Sequence, residues 1–260
     1  MTDSPFKNSA IQHFHNHKVE ARSDWPAVLN DIMNPLAVTT ATTEIRQWPS
    51  YASTALHCLD GLAQKLNLGA VYYKDESTRF GLGSFKALGG AYAVLCLLQK
   101  ELSNTMKKEV TFDEIRSGSL KEFAEKITVA TATDGNHGRS VAWGAQQFGC
   151  QCIIYIHAEV SEGRKAAMEA FGATVTRVKG NYDVSVNEVA SDAQDNDWFI
   201  VSDTSNPSYV DVPKNVVAGY AVFMEEVMES LAEDNHPDSA LTHVFLQGGV
   251  GGLASAVCGF

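Results

Sequence analysis

Three short segments of this sequence gather reactive or anion-binding groups where the chain changes direction. The first is Lys74-Asp75-Glu76-Ser77-Thr78-Arg79-Phe80-Gly81-Leu82-Gly83-Ser84-Phe85-Lys86-Ala87-Leu88-Gly89-Gly90. Lys86 falls in the first turn of a predicted helix, flanked by Phe85, Ala87 and Leu88. The positive end of a helix dipole and an apolar setting both disfavour an ammonium. A neutral amine held that way is a nucleophile that condenses with a carbonyl. An exposed surface lysine is the ordinary alternative. Against it stand Gly81, Gly83, Gly89 and Gly90, residues suited to a place where backbone closes on a ligand.

The second segment is Thr133-Asp134-Gly135-Asn136-His137-Gly138. At a helix start its backbone N–H groups form a site for an anion such as a substrate carboxylate. Thr133, Asp134, Gly135 and His137 are then the candidate substrate contacts. The alternative is that Asp134 or Asn136 merely caps the helix, and the spacing does not separate the two. His137 reads as a packing or hydrogen-bonding residue rather than a base. The third segment, Gln247-Gly248-Gly249-Val250-Gly251-Gly252-Leu253-Ala254, lets successive backbone N–H groups surround a phosphate. It also fits the dinucleotide pattern G-x-G-x-x-A. That reading needs an acidic residue about 20 positions further on, past the last residue here, and leaves Lys86 without a role. No Lys-Ser/Thr pair follows the glycines, which removes the Walker-type loop. A carbonyl-reactive lysine, a carboxylate turn and a phosphate cup together describe a pyridoxal-phosphate site. The cofactor's aldehyde would lie on Lys86 and its phosphate at Gly248, Gly249, Val250, Gly251 and Gly252.

The elements that must position these segments follow from periodicity. Strands are predicted at 70–73, 127–133, 152–156, 174–178, 198–201 and 242–246. Helices are predicted over about 84–102, 138–149, 161–171, 183–196 and 213–233, with Ser161 opening the third and Gly172 stopping it. Near-continuously apolar strands alternating with helices imply a parallel sheet covered on both faces, with ligands beyond the carboxyl ends of the strands. Residues 1–69, broken by Pro26, Pro35 and Pro49, are expected to wrap the sheet. The charged stretch 103–126 is expected to face solvent, with short helices opened by capping boxes at Thr111–Glu114 and Ser119–Glu122.

Composition bounds the function. Twenty Lys+Arg against 31 Asp+Glu give a net charge of −11, and without a basic run nucleic-acid binding is excluded. No stretch approaches a membrane span or a signal core. Five cysteines without paired zinc-type spacing suit reduced thiols in a cytoplasmic protein and give no metal site. Several features read as structural. His13, His15 and His17 fall in flexible surface, Cys150 and Cys152 are buried thiols, Trp143 and Phe148 are core, and Glu225-Glu226 is a solvated helix face.

On these residues the chain resembles the fold-type II pyridoxal-phosphate enzymes, the group of serine and threonine dehydratases and tryptophan synthase β. Lys74-Asp75-Glu76-Ser77, Arg79-Phe80-Gly81-Leu82, Phe85-Lys86 and Leu88-Gly89-Gly90 are similar to the lysine segment of the diaminopropionate ammonia-lyase family within it. The 133–138 turn and the 247–251 loop resemble that family's other two motifs, and the likeness spans roughly residues 70–254. Hydroxy-amino-acid dehydratases usually carry Ser at the position of Asp134, which favours the ammonia-lyase. The resemblance implies α,β-elimination of 2,3-diaminopropionate to pyruvate and ammonia, with Lys86 holding the cofactor and then taking the substrate's Cα proton. It also implies cofactor contacts from Phe85 and Asn136, proton work by Asp134 on the face opposite Lys86, and a pocket-shaping role for Asp203. An ordinary turn residue is the alternative reading of Asp203. The implied fold is two open, mostly parallel sheets. A large cofactor domain would come from 1–88 and 206–260, with a small α/β domain at 89–205. A small amino acid is the expected partner and a homodimer the expected assembly of the full-length protein. The family continues past its phosphate loop, so the sequence is expected to be truncated. The alternatives are a serine/threonine dehydratase-like lyase and a truncated, non-catalytic product.

Overall fold

The computed structural model describes residues 17, 30, 33–233 and 241–260. His13 and His15 lie outside the described residues, and His17 is exposed. The element that organises the rest is a four-stranded parallel sheet of order β5-β4-β3-β6, from β3 (Thr128–Ala132), β4 (Gln151–Ile156), β5 (Thr174–Arg177) and β6 (Phe199–Ile200). Val129 pairs with Cys152 and Phe199, and Ile154 with Val175, so four of the predicted strands pair in parallel as expected. Successive side chains alternate between faces, which splits the apolar residues into two clusters. Val129, Ile154 and Ile156 join the main core, while Ala130 and Tyr155 pack with Val178 and Val189. Helix α8 (Tyr182–Asp195) covers that second face, and α6 (Asn136–Phe148) packs on β3 and β4. This is the α/β class expected.

Helix α3 (Lys86–Met106) is buried on nearly all sides between α6 and α9 (Asp211–Glu233). Glycine sets the approach: a Cβ added at Gly144 would stand 2.7 Å from the Cα of Ala91. That neighbour is backbone and cannot rotate away. Gly144→Ala should therefore cost about 1–3 kcal/mol. Urea unfolding should show a lower midpoint with an unchanged slope.

Several expectations are corrected. Pro35 does not break the chain but sits at the first position of α1 (Pro35–Ile45), where its missing N–H costs nothing, behind the N-cap Asn34. The strand predicted at 70–73 forms as β2 (Tyr72–Lys74) but pairs antiparallel with β1 (Leu56–Cys58), across α2 (Asp60–Leu66), apart from the parallel sheet. Thr242–Leu246 forms no ladder, because among the described residues no strand lies beside it to take its backbone groups. The 103–126 stretch begins as the last turn of α3. Its short helices α4 (Phe112–Arg116) and α5 (Lys121–Ala124) bury Ile115 and Ala124, with Val110 and Leu120 beside them. The Thr111–Glu114 capping box is present. At the second site the Ser119 hydroxyl instead donates to the Glu114 carbonyl, and α5 starts uncapped. Trp143 and Phe148 are core, Cys152 is buried, and Cys150 is half-buried. Glu226 reverses its expectation: it is 0 % exposed. No described helix is long and apolar enough to cross a membrane, and no three described His, Cys, Asp or Glu side chains gather as a metal site.

Candidate active site

The turn from β2 to α3 aims Lys86, and the sequence shows why it holds one shape. The Asp75 carboxylate accepts from the Ser77 N–H at 2.9 Å and opens a 3-10 helix, Glu76–Gly81. Helical geometry then breaks at Arg79, and the backbone is left-handed at Phe80 (φ 49°), Gly81 and Gly83 (both φ 71°). Glycine accepts that conformation freely, but phenylalanine must be held in it. The Phe80 ring is held by Trp143 at 4.8 Å and by Trp48 at 5.9 Å between centroids. Arg79 is held by a buried charge network: its guanidinium forks onto both Glu226 oxygens at 2.7 Å and also onto Glu76. From α6, Arg139 donates to the Leu82 carbonyl at 2.9 Å, and the Ser140 hydroxyl donates to that of Ala87. Lys86 thus leaves a rigid base as the first residue of α3, with Phe85 at the cap position.

The Lys86 side chain is 26 % exposed, and its ammonium is ion-paired with the Asp203 carboxylate. Asp203 follows β6 in a loop fixed by Tyr209, whose hydroxyl donates to the Ile200 carbonyl at 2.8 Å and accepts from the Ser202 N–H at 2.9 Å. Buried His137 completes the cluster. Its Nε2 lies 2.8 Å from the Val201 carbonyl, an oxygen that can only accept, so Nε2 carries the hydrogen. Its Nδ1 faces Asp203 at 3.9 Å without a hydrogen-bond partner among the described residues. Burial pushes the His137 imidazole down, against the pull of Asp203, which favours the neutral ring. Burial pushes the Asp203 carboxyl up; positive charge facing it, from His137 when that ring is protonated and from the paired Lys86, pulls the other way and holds the group below its ordinary range.

Lys86 and Asp203 open into a cavity of about 520 Å³ whose wall also includes Phe85, Asn136, Tyr220 and the turn Gln247–Leu253. Gly251 is left-handed (φ 94°), a conformation that lets the turn bend into α10 (Gly252–Cys258). The amine and the glycine turn, 162 residues apart from Lys86 to Gly248 in the sequence, therefore share one cavity. Its volume lies within the roughly 300–1,000 Å³ of small-molecule sites. A condensing amine, a run of backbone amides and a buried phenol, Tyr220, whose hydroxyl has no partner among the described residues, fit a cofactor with an aldehyde and a phosphate.

The 133–138 turn is placed differently. The Thr133 hydroxyl accepts from the N–H groups of Gly135 (3.0 Å) and Gly138 (3.1 Å), so neither Asp134 nor Asn136 is the cap of α6. Asn136 lines the cavity. Asp134 does not: its side chain is 66 % exposed, its carboxylate meets His157 Nε2 at 3.1 Å, and its carbonyl accepts from Arg164 at 3.2 Å. Gly135 is buried against the Arg164 side chain. His157, Arg164, Tyr220 and Glu226 are the residues that sequence reasoning did not bring to this region. Only Glu226 had an indirect signal, Arg79 within the lysine segment, a cation that needs a partner once buried but does not say where along the chain that partner lies.

Residues 48–260 match the family described as pyridoxal-phosphate dependent enzyme. The chain is similar to diaminopropionate ammonia-lyase of Salmonella typhimurium, with 39 % identity over 215 residues, 83 % of this chain and 52 % of that protein. The crystal structure of Escherichia coli diaminopropionate ammonia lyase in apo form superposes with a TM-score of 0.80 at 36 % identity, covering 88 % of this chain and 61 % of that one. D-serine dehydratase of Escherichia coli O157:H7 is more distant, at 27 % identity over 190 residues, 71 % of this chain and 41 % of that protein. The chain spans about half the length of the curated ammonia-lyases it matches.

Proposed function

The chain belongs to the pyridoxal-phosphate dependent enzyme family, and from that premise we propose that it catalyses α,β-elimination of 2,3-diaminopropionate. With one water consumed, the products are pyruvate and two ammonia molecules. The observation that carries this reading is the Lys86–Asp203 pair opening into the same cavity as the Gly248–Gly252 turn. Lys86 would hold the cofactor's aldehyde, the glycine turn with Val250 its phosphate, Asn136 its ring oxygen, and Phe85 its flank. When bound, pyridoxal phosphate supplies an electron sink that stabilises negative charge at the substrate's Cα. The Lys86 Nζ is the group for taking the Cα proton, and Asp203 keeps that nitrogen in place and shares its proton. The β-amino group must leave as neutral ammonia, so a proton has to reach it, and the Lys86–Asp203 pair is the proton store of the cavity. Asp134 is the candidate for proton transfer on the opposite face, where two bases would admit both D- and L-substrate. To act there its carboxylate must leave His157. Thr133 holds the turn that presents Asp134 and Gly135, and His137 backs Asp203.

The small α/β unit is assigned to 89–205, between the two parts of a cofactor-binding unit at 1–88 and 206–260. Homodimer assembly and a cytoplasmic location belong to the same proposal and rest on the resemblance alone. Stoichiometry tests the reaction. With pyridoxal phosphate added, the protein should release two ammonia per pyruvate from diaminopropionate, whereas a dehydratase acting on serine or threonine releases one per keto acid. Turnover of threonine with none of diaminopropionate would overturn the proposal.

A further inference from the structure

Tyr220, in the middle of α9, has no role in any motif, yet the site is built around its ring. One ring edge fills the space over Gly89 of α3, where an added Cβ would lie 2.4 Å from its Cε1. The other edge faces Gly252, where an added Cβ would lie 3.4 Å from its Cε2. Phe85, the residue before Lys86, packs edge-on against it at 5.0 Å between centroids. The ring thus separates the helix that starts at the lysine from the turn that carries the glycines. A phenylalanine would fill that volume equally well. The tyrosine adds only a hydroxyl, and that hydroxyl is buried, on a side chain 1 % exposed, beside the cavity and without a hydrogen-bond partner among the described residues. A buried hydroxyl left unpaired is destabilising, so this one points to an acceptor outside the described residues, on the cavity side of the ring.

We propose that the Tyr220 hydroxyl is a phosphate-binding group, donating to the anion held at the Gly248–Gly252 turn. The inference rests on the reading of this cavity as a pyridoxal-phosphate site and adds a side-chain donor to its backbone amides. The acceptor is assigned to the phosphate because the ring abuts Gly252, the last glycine of the turn. Asp203, the carboxylate whose charge acts on the phenol, is engaged by Lys86. Burial and the Asp203 charge push the phenol well above its ordinary range, so the group stays protonated and can donate.

The test compares pyridoxal 5′-phosphate with pyridoxal, which has the aldehyde and ring but no phosphate, on the wild-type chain and on Tyr220→Phe. Binding is read by spectrophotometric titration, and thermal melts check that the ring still packs. A hydrogen bond to a charged group predicts that Tyr220→Phe weakens pyridoxal phosphate roughly ten- to a hundredfold. Pyridoxal affinity should stay within about twofold. Unchanged phosphate-cofactor affinity overturns the inference, and so does equal weakening of both ligands, which would place the hydroxyl on the ring or aldehyde. A wild-type chain that binds neither compound would instead remove the cofactor reading itself, and this inference with it.

Discussion

Lys86→Ala will not retain pyridoxal phosphate through borohydride reduction, whereas the wild-type chain will gain one cofactor mass on the peptide containing Lys86. Ammonia and pyruvate release should fall by roughly a thousandfold or more, because a positioned proton-transfer group alone contributes about 10²–10⁴ in rate. The substitution also has a structural consequence that must be separated from the chemical one. Asp203 is nearly buried, and without Lys86 its carboxylate faces only a neutral, buried His137. Its carboxyl lies below the ordinary range while Lys86 is present, so its stabilising contribution exists above that range and is lost as pH falls through the depressed value. Lys86→Ala removes part of that contribution at neutral pH. Lys86→Arg keeps a permanent cation beside Asp203 but cannot condense with an aldehyde. It should therefore recover stability lost in the alanine variant while remaining unable to fix the cofactor. Lys74 is the informative control, since it also lines the cavity. Its ammonium is occupied by Glu226 at 2.6 Å and by the Thr54 carbonyl at 2.7 Å. Borohydride fixation on Lys74 in the wild-type chain would overturn the assignment.

The parts of this molecule legible in its sequence are those whose causes are local. The runs that became β3, β4 and β5 are apolar and β-branched, and each is followed by helical periodicity with a cap such as Ser161 or a stop such as Gly172, which is left-handed as expected. Lys86 and the glycine turn were likewise marked by their immediate neighbours. What was not legible depends on partners far along the chain. From its neighbours alone Asp203 reads as a turn residue, and only the resemblance puts it in the pocket; its partner, Lys86, lies 117 positions away. Glu225-Glu226 reads as a solvated helix face because acidic pairs on helices are ordinarily solvated, yet the partner of Glu226 is Arg79, 147 positions earlier. From its place before a helix Asp134 reads as a cap or as part of an anion-binding turn, but the neighbouring Thr133 hydroxyl caps that helix and the Asp134 carboxylate pairs with His157. Thr242–Leu246 has strand composition, but composition supplies no neighbour, and a ladder needs one.

Glu226→Gln should destabilise the protein by about 3–5 kcal/mol, the cost of breaking a buried ion pair by removing one partner. Four charges meet there with no net excess: Lys74 and Arg79 against Glu76 and Glu226. Arg79 is 1 % exposed, and both Glu226 oxygens are taken up, by the Arg79 fork, by Lys74 and by the Tyr51 hydroxyl at 2.8 Å. Deleting the Glu226 charge leaves Lys74 and Arg79 against Glu76 alone, an excess positive charge beside a guanidinium that is 1 % exposed. Acid titration isolates the effect. Burial opposes ionisation of Glu226, but Arg79 and Lys74 prevail and hold its carboxyl at about 2, against an ordinary 4.5. A depressed carboxyl contributes stability that is fully present above the unfolded value and lost as pH falls through the folded one. The stability difference between wild type and Glu226→Gln should therefore be constant above about pH 4.5 and shrink as pH falls toward 2. Taking the difference cancels groups common to both chains, Asp203 among them. Replacing the pair together, Arg79→Met with Glu226→Leu, should cost less than either single change, because Lys74 and Glu76 then remain with no net charge between them. The same network anchors the 3-10 helix that leads to Lys86, and Lys74 and Glu76 line the cavity, so Glu226→Gln should also weaken cofactor binding. A loss below about 1 kcal/mol, the range of an exposed ion pair, would show that the turn before Lys86 is held by Phe80 and its aromatic neighbours rather than by buried charge.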